Sequence, residues 1–432
     1  MKKIGTFCIL LMMHSISFTQ TLSNTEMKIV NYINEHKIDA EKILEETVNI
    51  NSGTLNIIGV KKVGAIFSRE LEKAGFKTEW ISLPDSLNRA GHLVATRKGK
   101  KGKKLFLIGH LDTVFEPDMP KGPYTKINDS SATGQGSSDM KGGDVVVIMA
   151  LQALENAGAL KDASIVVYFT GDEEKAGSPT SVSRKDFIER AQQTDIALGF
   201  EGAAGLHTVA TARRGSSGWS LKVSAKTGHS AGVFSDFSGF GAIYESARIL
   251  NSFRETLSVE KYLTFNPGLI IGGSEMKFDE KASKGEASGK TNIISPSVTV
   301  IGDLRFLTEA QLFAAREKMK TIVAQNLKGT SAEIVFHDGI PAMEPTKGND
   351  ALLQLLNKTT EDMGLGITKA GDPGSRGAGD ISYIAKYVDC IDGLGASGKG
   401  AHAAGETINL NELPLLTQRA ALLIYRLTQI KN

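Results

Sequence analysis

Lys104-Leu105-Phe106-Leu107-Ile108-Gly109-His110-Leu111-Asp112 is the stretch that decides the fold. Residues 104–109 form a continuous apolar run with no polar alternation, the pattern of a strand buried on both faces. The run ends on a glycine and an imidazole, with a carboxylate two residues further on. Residues 164–169 and 196–200 are two more short apolar runs, and they lead into Asp172-Glu173-Glu174 and Glu201. Between the first run and the second, residues 145–154 are apolar nearly all round, which predicts a buried helix. This alternation predicts an α/β fold with a mixed, mostly parallel sheet covered by helices. Such sheets bind ligands at the carboxyl ends of their strands, where these acidic and imidazole residues stand.

On either side of this block the chain changes character. Residues 26–50 and 61–74 read as amphipathic helices. Near Arg213-Arg214-Gly215 the pattern shifts to strand 219–225, helix 239–253 and strand 268–272. A charged loop over 277–290 comes next, then strand 297–304, helix 308–326 and strand 332–337. Two strand-helix-strand units make an α+β, ferredoxin-like sandwich. Helices at 350–363 and 413–429 follow, the latter with Pro414 in its first turn, where proline is tolerated. The expected organisation is a domain of residues 21–214 and 343–432 with residues 215–342 inserted into it. At 432 residues, more than one compact unit is expected.

Lys2 and Lys3 before an apolar stretch and a small polar run read as an export signal over residues 1–20, which implies a periplasmic or secreted protein. No later segment has the ~18 uncharged apolar residues of a membrane span. Cys8 falls within the signal, leaving Cys390 as a lone, buried structural thiol that cannot form an internal disulfide. Lys and Arg (50) nearly cancel Asp and Glu (48). No basic stripe with interleaved aromatics is present, which argues against a nucleic-acid partner.

His110, Asp139, Glu174, Glu201 and His402 form a set of two imidazoles and three carboxylates. His110 and Asp112 lie two apart at a strand end, so Asp112 can accept the imidazole N–H that is not on a metal. A core histidine beside a surface aspartate is the plainer alternative. Asp139 stands in a glycine-containing turn before the buried helix, where a carboxylate also serves as a cap. Beside the other ligands, its two oxygens suit it to bridge two cations. Glu173 and Glu174 diverge as neighbours, so one can bind metal while the other faces water; an exposed acidic turn would look similar. Glu201, between Phe200 and Gly202, needs a partner if buried. Three ligand carboxylates set against two divalent ions leave one positive charge for a hydroxide. Oxygen and nitrogen donors without thiolate fit zinc, with cobalt or manganese as alternatives.

His110-Leu-Asp112-Thr-Val, Ser138-Asp139-Met-Lys-Gly-Gly, Asp172-Glu173-Glu174-Lys-Ala-Gly-Ser178 and Asp392-Gly-Leu-Gly-Ala-Ser-Gly-Lys-Gly-Ala-His402 resemble the dizinc aminoacylase and glutamate carboxypeptidase family. Within it they resemble the bacterial glutamate carboxypeptidases of the carboxypeptidase G type. The resemblance runs in order from about residue 40 to the C-terminus. It implies two Zn2+ per chain, one held by His110, Asp139 and Glu201 and the other by Asp139, Glu174 and His402. Glu173 would be the general base, Asp112 would orient His110, and the Asp139–Met140 peptide would be cis. Residues 215–342 would be a lid and dimerisation domain, making the protein a homodimer. Gly228-His229-Ser230 is similar to the family's histidine motif, which reaches the partner subunit's active site. Asn292 and Arg305 resemble a substrate-binding pair. The loop carrying Ser375 and Gly377 would present backbone N–H groups to the same substrate carboxylate. The order Gly-His-Ser and the Arg376 inside that loop depart from many relatives. His36, His92, His207 and His337 match no motif and are expected to be structural or exposed.

The resulting expectation is an exported zinc exopeptidase that releases a C-terminal amino acid, glutamate among the candidates, from peptides or acylated amino acids. An N-acyl-amino-acid deacylase or dipeptidase with the same centre is the alternative, because these differ in pocket shape. A catalytically inactive peptide-binding protein would show a lost ligand or base, and every expected one is present.

Overall fold

The computed structural model describes residues 22–280 and 282–430. The expected signal, residues 1–20, lies outside them. Six strands stand side by side in the order Lys77–Ile81, His92–Arg97, Ala163–Thr170, Lys101–His110, Ile196–Gly199 and Asp389–Ile391. The last four run parallel, and the first two are joined antiparallel at one edge. The fold is therefore mixed α/β with a mostly parallel sheet.

The uninterrupted apolar run works on both faces. Leu105 and Leu107 enter one buried cluster with Val145, Ile148 and Leu423, and Phe106 and Ile108 enter another with Phe187, Ile384 and Cys390. Helix Gly142–Asn156 is buried over almost its whole length, as its composition requires. Each fully buried side chain of this size contributes about 1.5–3 kcal/mol, so a charge at Ile148 would disrupt the layer.

A second sheet carries its own core. Strands Thr264–Gly273, Ser297–Phe306, Gly215–Ala225 and Thr330–Asp338 lie in that order, all antiparallel. Helices Gly241–Leu257 and Glu309–Val323 bring Ile249, Phe253, Leu312 and Met319 into one cluster with Trp219, Leu221, Val298 and Val300.

Two expectations are corrected. The 26–50 helix is two helices, Asn24–Glu35 and Lys37–Val48, because His36 leaves helical geometry, stacks on Tyr32 and bonds its carbonyl through Nδ1. The charged 277–290 segment is not a loop: Glu275–Asp279 pairs with Lys284–Ser288 as a hairpin. Exposed Glu275, Lys277 and Asp279 alternate with half-buried Met276 and Phe278, the period of a strand. Cys390 is buried, as expected. No helix among the described residues is long and apolar enough to cross a membrane.

Candidate metal centre

The central strands end together, and their ends converge with two loops. His110 Nε2 lies 3.3 Å from Asp139 Oδ1 and 3.8 Å from Glu201 Oε1. His402 Nε2 lies 3.0 Å from Asp139 Oδ2 and 3.2 Å from Glu174 Oε2. Asp139 thus turns one oxygen to each imidazole. Ligand atoms of His110, Glu173 and Glu201 lie within 4.8 Å of one another, as do those of His110, Asp139 and Glu174.

Local bonding aims these groups. His110 Nδ1 donates to the Asp112 carbonyl oxygen at 2.9 Å. A carbonyl only accepts, so Nδ1 carries a proton, and Nε2 is the nitrogen that would meet a cation. The expected partner was the Asp112 carboxylate, which stands at 3.6 Å. That carboxylate instead accepts the backbone N–H groups of Glu173 (3.0 Å) and Glu174 (3.2 Å) and the Thr54 hydroxyl (2.6 Å). Asp112 therefore fixes the acidic turn. His402 has φ +64, a left-handed conformation uncommon outside glycine, in a turn closed by Ala403 N–H to the Gly400 carbonyl. The Asp139–Met140 peptide is cis.

Asp172 is not part of the cluster. It pairs with fully buried Arg184, whose Nε donates to Asp380 at 2.8 Å, while Thr170 donates to the other Asp380 oxygen at 2.6 Å. Ser183 and the Gly177 N–H complete the shell of Asp172. His92, also buried, accepts the Gly171 N–H and donates to the Ser183 carbonyl. Removing one partner from such a buried pair costs about 3–5 kcal/mol, so this network holds the strand end that presents Glu173.

The electrostatics call for cations. Burial, together with the charge of Glu201, pushes the Glu173 carboxyl well up. Burial and Asp139 push Glu201 up to about 7, and burial pushes Asp112 up to about 7. Hydrogen bonds to Asp139 and Glu174 push His402 up to about 11. Burial is the largest influence on both His110 and Asp139 and opposes their charges, yet it is outweighed by their mutual hydrogen bond together with the carboxylates of Glu201, Glu173 and Asp112 around His110 and with His402 beside Asp139: the imidazole is raised well above its usual range and the carboxyl is held below its own. Without metal, protons must neutralise this crowd of carboxylates; divalent ions do so with the same donors. Glu174 Oε1 is buried with no hydrogen-bond partner, an orphan that a cation would satisfy. The donor set of imidazole and carboxylate fits zinc.

One residue escaped the sequence reading. Glu406 Oε1 accepts the N–H groups of Ser138 (2.7 Å) and Asp139 (2.9 Å), and its Oε2 accepts that of Gly136 at 2.8 Å. It holds the loop that aims Asp139; the available signal was a lone carboxylate four residues after His402. Outer-shell partners of this kind typically matter 10- to 100-fold in metal affinity. Glu406→Gln is therefore expected to weaken zinc binding about 10- to 100-fold, measured by competition with a chelator of known affinity.

A cavity of about 520 Å³ opens beside the cluster, bounded by Asp139, Glu201, Arg213, Ser375, Arg376 and Lys399 among others. Gly377 also lines it. The other expected substrate residues stand elsewhere. His229 is exposed, its Nδ1 accepting the Ala231 N–H, and its backbone pairs with Ile293 next to exposed Asn292. Arg305 is half-buried on its strand and paired with Asp303 at 2.8 Å. His229, Asn292 and Arg305 do not line this cavity.

The sequence matches the peptidase family M20/M25/M40 over residues 106–426. The chain belongs to this family. It is 27% identical over 391 residues to carboxypeptidase G2 of Pseudomonas sp. (strain RS-16), covering 89% of this chain and 88% of that protein. It is also 27% identical over 289 residues to acetylornithine deacetylase of Pasteurella multocida, covering 63% of this chain and 69% of the relative. Among solved structures, aminopeptidase PepT of Bacillus cereus superposes with a TM-score of 0.72 at 18% identity, covering 90% of this chain and 98% of PepT. This M20 protein is accordingly a hydrolase of the metallopeptidase and aminoacylase type, with the family's α/β fold.

Proposed function

We propose that this M20 chain is a two-zinc exopeptidase that releases a C-terminal amino acid, glutamate foremost, from peptides or N-acyl amino acids. The observation that carries the reading is the pair of donor nests sharing Asp139, with Glu173 beside them. The similarity to carboxypeptidase G2, over 89% of this chain, supports the choice of a carboxypeptidase. His110, Asp139 and Glu201 would hold one ion, and Asp139, Glu174 and His402 the other. When bound, divalent cations polarise the scissile carbonyl and acidify water. Glu173, half-buried and crowded by Glu201, is suited to take a proton from water and return it to the leaving amine. Asp112 keeps that carboxylate in place through the Glu173 N–H.

A deacylase acting on N-acyl amino acids is the second reading, favoured by the similarity to acetylornithine deacetylase. Residues 21–214 and 343–432 would form the catalytic domain, and 215–342 a lid through which two copies pair. Export directed by residues 1–20 belongs to the same reading. His229 would then serve the partner's site as an oxyanion donor, consistent with its exposure here. His229→Ala should lower kcat about 100- to 1000-fold while zinc content stays constant. Loss of zinc in that variant would contradict the lid role. The substrate reading is tested by release of glutamate from N-acyl-glutamate compared with deacylation of N-acetylated diamino acids. Cleavage confined to the latter would favour the deacylase.

A further inference from the structure

The cavity wall holds two arginines in opposite circumstances. Arg213 has a partner on each of its three nitrogens: it pairs with Asp392 through Nη1, and its Nε and Nη2 donate to the carbonyls of Gly377 (2.7 Å) and Ala378 (3.0 Å). The Arg376 guanidinium has a single hydrogen-bond partner among the described residues, the Gly202 carbonyl, reached by Nη2 at 2.8 Å. Among the described residues it has no carboxylate within ion-pairing distance, whereas Arg184, Arg213 and Arg305 each have one.

The placement of Arg376 is built into the fold. Gly202 directly follows Glu201, so the guanidinium is held against the backbone of the metal cluster. On its other side is Gly393, where φ is +80 and an added Cβ would come within 3.1 Å of Arg376 Nη1. The adjoining carboxylates at the cavity floor, Asp139 and Glu201, would be committed to cations. Lys399 lines the same cavity, and no ion pair is formed by it among the described residues. A half-buried guanidinium that lacks a counter-ion beside a ligand cavity is costly unless a ligand supplies the anion. Its planar fork suits a carboxylate in two-point contact.

We infer that Arg376, with Lys399 lining the same cavity, reads a side-chain carboxylate on the amino acid being released, making this a site for dicarboxylic leaving residues. The inference rests on the exopeptidase reading above. It assigns a specificity role to a side chain in a loop otherwise expected to act through its backbone.

The test compares kcat/KM for N-acyl-L-glutamate and N-acyl-L-glutamine, which are nearly isosteric, on zinc-loaded wild type, Arg376→Met and Arg376→Lys. Wild type should prefer glutamate at least about tenfold, the scale of a hydrogen bond to a charged group. Arg376→Met should erase that preference mainly through KM for glutamate, and Arg376→Lys should restore part of it. Thermal melting and zinc content identify a variant that has failed to fold. Parallel losses on both substrates would make Arg376 a mere anchor of its loop to Gly202, and no change on either would leave it no role; both overturn the assignment. A wild type that cleaves neither compound but cleaves neutral dipeptides or N-acetylated diamino acids would overturn the glutamate reading itself, and the role of Arg376 with it.

Discussion

Glu173→Gln is expected to lose nearly all turnover, with kcat falling about 100- to 10,000-fold, while both metal ions remain bound. The amide keeps the size of the side chain and its place in the turn, since Asp112 holds residue 173 by its backbone N–H. What it removes is the ability to accept a proton. In the proposed ligand sets Glu173 donates to neither ion, so metal content separates loss of the base from loss of the site. The pairing of kcat with zinc per chain, measured on the same preparation, is the check. Substantial residual turnover would remove Glu173 as the base, and lost zinc would make it a ligand.

Asp139→Ala should do the reverse and empty the centre. Asp139 alone faces both imidazoles, one through each oxygen. Its removal leaves His110 with Glu201 and His402 with Glu174, two-donor remnants that fall short of the three protein ligands usual at a catalytic zinc. Zinc should fall from about two per chain to near zero in dilute buffer. Activity should fall at least about a thousandfold, as losing several kcal/mol of charge stabilisation requires. His402→Ala makes the contrast, since His110, Asp139 and Glu201 remain as a complete set for one ion. A variant lacking Asp139 that still holds two ions would contradict the bridging role.

Much of this was legible because the central strands are buried on both faces and therefore read as short apolar runs, with a chemically loaded residue at the end of the run or a few residues beyond it. His110, Glu174 and Glu201 were found in this way, and the sheet with them. His402 was harder, lying in a glycine-rich loop with no periodicity, and motif resemblance brought it in. The edge strand Lys77–Ile81 was missed because Lys77, Thr78 and Glu79 break any apolar pattern. That the Asp112 carboxylate also holds the acidic turn was not legible, since spacing brings Asp112 near His110 but cannot show that two backbone N–H groups of a turn 61 and 62 residues away bond its oxygens. Glu406 was invisible for the same reason: its partners are backbone N–H groups of a loop more than 260 residues earlier. Side chains that bond backbone leave no pairing signal in a single sequence. The second core was legible from two strand-helix-strand units, whereas its exposed hairpin was not.

The most direct test of the two-zinc hydrolase is elemental analysis of the purified chain, coupled to hydrolysis of an N-acyl-glutamate before and after chelation. The expected result is about two zinc per chain, with glutamate release lost on chelation and recovered when zinc is restored. A chain that binds no divalent metal even after zinc is added back, or one whose hydrolysis survives complete removal of metal, would contradict the account.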